Sequence, residues 1–184
     1  MKVISLSQER TRAGFTLVEI LVVISIMVVL MAMTFGIGGW AMKNAKVQKA
    51  NTQVKLFENK LQEYEVDNGE FPPGDGSERS SISLYQTLYE NGIQNGTKVY
   101  MPELDPDSSD QFKRKIEKDG TILDPFKYKN PYYYLRGIDE NGNEVGNAFN
   151  PDFDLWSLGP NGVGRGKGGN SDEDLDDDIT NWDG

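Results

Sequence analysis

Seven carboxylates crowd the C-terminus: Asp172, Glu173, Asp174, Asp176, Asp177, Asp178 and Asp183, with no Lys or Arg from Asn170 to Gly184. Oxygen donors at this density suit a hard cation. Ca²⁺ takes about 6–8 oxygen ligands, mixing carboxylates with backbone carbonyls. A solvated acidic tail is the plain alternative. Asp172, Asp174 and Asp176 have the 1-3-5 spacing of an EF-hand loop, but Asp177 replaces its glycine and Asp183 its bidentate glutamate. The closing Ile179 and Trp182 favour burial and argue for a segment that folds back. Other chemistry is excluded by composition. The chain has no His and no Cys, which argues against zinc and removes histidine acid–base catalysis and thiol nucleophiles. A net charge of −10 over 184 residues argues against nucleic-acid binding.

A second charge is out of place. Glu19 sits near the start of an otherwise uncharged run, Phe15 to Trp40. The run is long enough to cross about 30 Å of hydrocarbon as a helix. A carboxylate at the centre of a membrane span costs about 2.5–3.5 kcal/mol, and less near its end. Met1–Gly14 carries a net +2, resembling the start of a secretory signal, but no small-residue cleavage pattern closes the apolar run. A retained membrane helix with a cytoplasmic N-terminus is expected from Arg10 and Arg12. Lys43, Lys46 and Lys49 on the far side weigh against that orientation.

The elements that position these groups are legible from periodicity. Val47, Ala50, Val54, Phe57, Leu61 and Tyr64 form a 3-4 stripe that continues the helix past the apolar run. Asp67-Asn68-Gly69 and Phe71-Pro72-Pro73 end it. A helix from Phe15 to Val66 would be about 75–80 Å long. A short second helix is expected with Ile82, Tyr85, Leu88 and Tyr89 on one face, ending at Asn91-Gly92. Strand candidates are Lys98–Met101, a hairpin around Asp119-Gly120, Tyr132–Ile138 and Phe153–Leu158. Gly162–Asn170 is expected to be a flexible glycine-rich loop. Long helix, short helix, then small antiparallel sheet is an α+β order. Tyr132, Tyr133 and Tyr134 are expected to pack the sheet.

Arg12-Ala13-Gly14-Phe15-Thr16-Leu17-Val18-Glu19-Ile20, following a short basic leader, resembles the processing site of the type IV pilin and type II secretion pseudopilin superfamily. The resemblance implies cleavage between Gly14 and Phe15 by a membrane prepilin peptidase, N-methylation of Phe15, and a role for Glu19 in assembly. Glu19 of one subunit would pair with the new amine of another. Asp124–Gly137 (DPFKYKNPYYYLRG) and Phe153–Trp182 (FDLWSLGPNG…DDDITNW) are similar to segments of the major pseudopilin of type II secretion.

The family's last segment is a Ca²⁺ loop. By resemblance the ligands here are the Leu158 carbonyl, Asp177 and Asp178. Asn161 stands where the family has an aspartate, so one charge is lost, and Asp176 is placed to supply it. The implied organisation is a leader (1–14), a transmembrane assembly helix (15–40), a periplasmic half-helix (41–69) and a type IV pilin-like head (70–184) with its Ca²⁺ loop at 153–182. The implied protein is no enzyme. It is an inner-membrane, single-pass precursor with a periplasmic head. Its partners are copies of itself in a filament, the prepilin peptidase, minor pseudopilins and the inner-membrane secretion platform. Two rivals remain: a type IV pilin for adhesion, motility or DNA uptake, and a monomeric membrane-anchored Ca²⁺-binding domain.

Overall fold

The computed structural model describes residues 14–107, 112, 115–139, 141–165 and 176–182, with the side chains of residues 34–38 outside that set. The leader expected at 1–14 lies outside it except for Gly14. The chain divides into two units at Met42/Lys43. A single helix, α1 (Leu17–Asn68), supplies the described part of the first unit and enters the second.

In the first unit every described side chain from Gly14 to Met33 is exposed. Leu17–Met33 is apolar around its whole circumference apart from Glu19 and Ser25. Ser25 spends its hydroxyl on the Leu21 carbonyl at 2.8 Å. Among the described residues no helical stretch is long and apolar enough to cross a membrane. The apolar sequence itself runs on into Thr34–Gly38, whose side chains are outside the described set.

The second unit is built on the 3-4 stripe. Ala50, Val54, Phe57 and Leu61 are buried, and Val47 and Tyr64 pack at the margin. The helix stops as expected: Gly69 has φ +79° and donates its N–H to the Glu65 carbonyl at 2.7 Å, a left-handed C-terminal turn.

The second helical segment is longer than expected and broken. It comprises α2 (Ser80–Tyr85), a π turn (Gln86–Glu90) and α3 (Asn91–Asn95), stopping at Gly96 with φ +63° and not at Asn91-Gly92. Its fully buried apolar residues are Leu84 and Leu88, while Ile82, Tyr85 and Tyr89 are only half-buried. Lys98–Met101 is not a strand. The Tyr100 and Met101 N–H groups both donate to the Leu88 carbonyl in the π turn, and Lys98 pairs with Glu63 and Asp67 of α1 at 2.8 and 2.6 Å. Pro102–Leu104 is a 3₁₀ turn. The hairpin around Asp119-Gly120 is reduced to a turn closed by the isolated bridge Ile116–Ile122.

The sheet is antiparallel, in order β1 (Tyr133–Arg136), β2 (Phe153–Ser157), β3 (Ile179–Thr180). Tyr133 faces Trp156, Arg136 faces Phe153, and Ser157 faces Ile179. Alternation sorts its side chains into two layers. Tyr132, Tyr134, Phe153 and Leu155 join the helix stripe in the larger core. Tyr133, Leu135, Trp156 and Leu158 point the other way and are covered by Val145, Ala148 and Trp182. The three tyrosines therefore pack the sheet, as expected. An antiparallel sheet commonly leaves one face to water. Here all five β2 residues are buried, because Val145, Ala148 and the returning Trp182 cover the second face.

Candidate assembly terminus and C-terminal loop

Thr16 and Glu19 open α1 as a reciprocal capping box. The Thr16 N–H and hydroxyl both donate to Glu19 Oε2 at 2.8 Å, and the Glu19 N–H donates to Thr16 Oγ1 at 3.3 Å. Orphan donors at the helix start are thereby satisfied, and a negative charge is held at the positive end of the helix dipole. Thr16 is the second half of this cap, a partner not read from the sequence. Its signal was present: Thr-x-x-Glu directly before an apolar run. Gly14 and Phe15 are exposed just upstream, Phe15 at 83%. A side chain at Gly14 would meet nothing within 4 Å.

The second candidate site lies where β3 returns beside the Gly159–Gly162 turn. Asp177 Oδ2 accepts the Asn161 N–H at 2.9 Å, and Asp178 Oδ2 accepts the Arg165 N–H at 3.2 Å. The other oxygen of each carboxylate, Asp177 Oδ1 and Asp178 Oδ1, is buried without a hydrogen-bond partner among the described residues. Orphaned buried carboxylate oxygens are costly unless a cation or proton meets them. Two adjacent ones fit a hard cation. Asn161 Oδ1 accepts the Val163 N–H at 2.6 Å in a tight local turn, so the Asn161 backbone also braces Asp177. The Leu158 side chain is fully buried in the second layer. Asp176 is exposed. Among the described residues no group of three or more carboxylates is gathered; Asp172, Glu173 and Asp174 lie outside them.

Gly162–Asn170 is expected to be a flexible loop, and within its described part Val163 and Arg165 are tied to the fold by hydrogen bonds. Arg165 is locked against Asp154 at 2.7 Å, and Trp156 Nε1 donates to the Arg165 carbonyl at 3.0 Å. Residues 166–170 lie outside the described set. Trp182 folds back as expected, stacking on Phe149 with ring centroids 4.8 Å apart and meeting Trp156 edge-on at 5.8 Å. Upstream, buried Asp124 accepts the Ser157 hydroxyl at 2.9 Å and the Phe126 N–H at 3.1 Å. The Gly159 N–H donates to the same Ser157 hydroxyl at 3.3 Å. The Asp124-Pro125-Phe126 segment thus anchors the turn that carries Asn161.

Burial pushes the Asp178 carboxyl up to about 7, helped by the Asp177 charge and opposed by the Arg165 N–H. Burial also raises Asp177, against the Asn161 N–H and Lys43. The unfolded value is about 3.9. Between the unfolded and folded values the native state holds the extra protons, so metal-free stability falls as pH rises from about 4 through about 7. Carboxylates lowered in the fold, such as Asp67 and Asp139, have given their full contribution by about pH 5. In chelator the urea midpoint is therefore expected to be higher at pH 5 than at pH 8, and Asp178→Asn should flatten the difference. A midpoint that rises over this interval contradicts the assignment.

Residues 10–35 match the prokaryotic N-terminal methylation motif. That span holds Gly14, Phe15 and the Thr16–Glu19 box. The likeness to known proteins runs nearly end to end. The chain is 30% identical over 176 residues to the type II secretion system core protein G of Pseudomonas aeruginosa, covering 96% of this chain and 99% of that protein. It is 29% identical over 178 residues to the protein of the same name from Dickeya chrysanthemi, covering 95% of this chain and 88% of that one. A capped apolar helix, an α+β head and this full-length likeness agree: the chain belongs to the type II secretion system core protein G family.

Proposed function

We infer that the chain is a structural subunit of a type II secretion pseudopilus, a helical filament that helps drive protein secretion across the outer membrane. The observation that carries this is the bare helix Leu17–Met33, apolar on all sides and opened by a charged capping box. A helix apolar all round needs burial in lipid or among other helices. As a precursor it lies in the inner membrane, with the N-terminus cytoplasmic and the head periplasmic. After removal of residues 1–14 the same surface packs on copies of itself. Head-to-tail contacts that do not close a ring build a filament. The new Phe15 amine is a cation in an apolar layer. Glu19 of a neighbour, preset by Thr16, pairs with it, which lowers the cost of burying either charge.

The head carries a Ca²⁺ loop in this reading. Asp177 and Asp178 hold the ion through their orphaned oxygens, with the Leu158 carbonyl, Asn161 and Asp176 completing the oxygen set. Bound Ca²⁺ supplies charge neutralisation, and binding free energy becomes folding free energy for a head without disulfides. The chain performs no catalysis; ATP is consumed by another component. The prepilin peptidase, minor pseudopilins and the inner-membrane platform are its partners.

The test is co-expression with a type II secretion platform and prepilin peptidase, followed by shearing of cells. Wild type is expected to yield filaments and Gly14→Leu to remain a membrane precursor. Open space around Gly14 makes that result a statement about processing and not folding. A mature wild-type chain with no crosslinkable neighbours would instead favour the monomeric anchor.

A further inference from the structure

Arg165 touches both the second side-chain layer and the Asp178 carboxylate. Its guanidinium lies 4.5 Å from the Phe149 ring centre, 4.9 Å from Trp156 and 5.2 Å from Trp182. One nitrogen pairs with fully buried Asp154 at 2.7 Å, and the other donates to the Asn147 carbonyl. Asp154 also takes the N–H groups of Phe149 and Asn150 at 2.8 and 2.9 Å, and Arg165 is its cationic partner. Arg165 therefore joins three separate pieces: the 147–150 loop, β2 and the C-terminal return.

The main chain of the same residue does something else. Its carbonyl is held by Trp156 Nε1, and its N–H reaches Asp178 Oδ2. Gly164 comes so close that a Cβ there would sit 2.2 Å from Asp178 Oδ1. The side chain is committed to Asp154, so Arg165 does not compete with a cation for Asp178. Only its N–H touches that carboxylate, on the oxygen opposite the orphaned one.

We propose that Arg165 is the positioning residue of the C-terminal cation loop: the guanidinium, seated among Phe149, Trp156 and Trp182 and paired with Asp154, fixes the backbone N–H that aims Asp178 Oδ1 at the ion. This rests on the Ca²⁺ reading above. Arginine suits the task because its planar fork stacks on rings and binds a carboxylate at the same time, which an ammonium does not. It also gives the loop a metal-independent half, so that Asp178 is already aimed when Ca²⁺ arrives. Groups that orient metal ligands are typically worth about 10–100-fold in affinity.

The experiment is Ca²⁺ titration calorimetry on the full chain in detergent, well below its melting temperature. Wild type binds; Arg165→Ala is expected to weaken binding about tenfold or more, with Arg165→Lys in between and Asp154→Asn following Arg165→Ala. Tyr134→Phe is the stability control. It removes a buried bond to the Pro72 carbonyl in the other layer, and should lower the melting temperature without moving the Ca²⁺ affinity. Equal affinity in Arg165→Ala and wild type overturns the proposal and leaves the Ca²⁺ reading standing. No binding by wild type overturns both.

Discussion

Gly159→Ala is expected to unhinge the head. Gly159 has φ +61°, and a Cβ there would lie 1.9 Å from the Asp177 carbonyl oxygen and 2.7 Å from its carbon. Both atoms are backbone, so no side-chain rotation relieves the overlap. The left-handed conformation alone costs about 1–2 kcal/mol for alanine. Forcing β3 away from the turn adds about 1–3 kcal/mol of overpacking. The movement also separates Asp177 from the Asn161 N–H that holds it. Loss of about 3 kcal/mol should lower the melting temperature by on the order of 10 °C, read by near-ultraviolet circular dichroism of Trp156 and Trp182. Gly142→Ala isolates the conformational part, since Gly142 has φ +80° with nothing within 4 Å. It should cost only about 1–2 kcal/mol. Equal losses at the two positions would mean that the approach of Gly159 to Asp177 is unimportant.

Glu19→Gln is expected to separate two roles that Glu19→Ala confounds. Gln serves in a capping box nearly as well as Glu, so the bonds with Thr16 should persist and the helix should start where it does now. Gln cannot neutralise an amine. Burying the Phe15 ammonium unpaired costs about 2.5–3.5 kcal/mol, which is about a 100-fold loss in an association constant. Glu19→Gln should therefore insert, fold and be processed like wild type, yet give almost no sheared filaments. Wild-type filament yield would reduce Glu19 to a helix cap.

Much of the first core layer was legible because its signal is local. The 3-4 spacing from Val47 to Tyr64 reports one helix face whatever packs on it, and the alternating Phe153–Leu158 reports a strand. The second layer was legible only in the return of Trp182. Whether Arg165 is a loose loop residue or a clamp depends on where the chain returns after β2, and composition favoured the loop. Lys98–Met101 has strand-like residues, but its backbone donors go to the Leu88 carbonyl in the π turn, a tertiary partner that no local pattern reveals. At the N-terminus the signal is local but weak. Glu19 stands out as a charge in an apolar run, whereas its local partner Thr16 differs little from its neighbours. In the loop, Asp177 and Asp178 were identified as a pair; that each buries one unsatisfied oxygen follows from the close approach of Asn161 and Arg165.

The central claim is that this chain assembles only after its leader is removed and through the terminus so created. Intact-mass spectrometry of the subunit recovered from sheared filaments tests it most directly. The account predicts a single species of residues 15–184 carrying one methyl group on Phe15. Filaments built from chains that still begin at Met1 would contradict it.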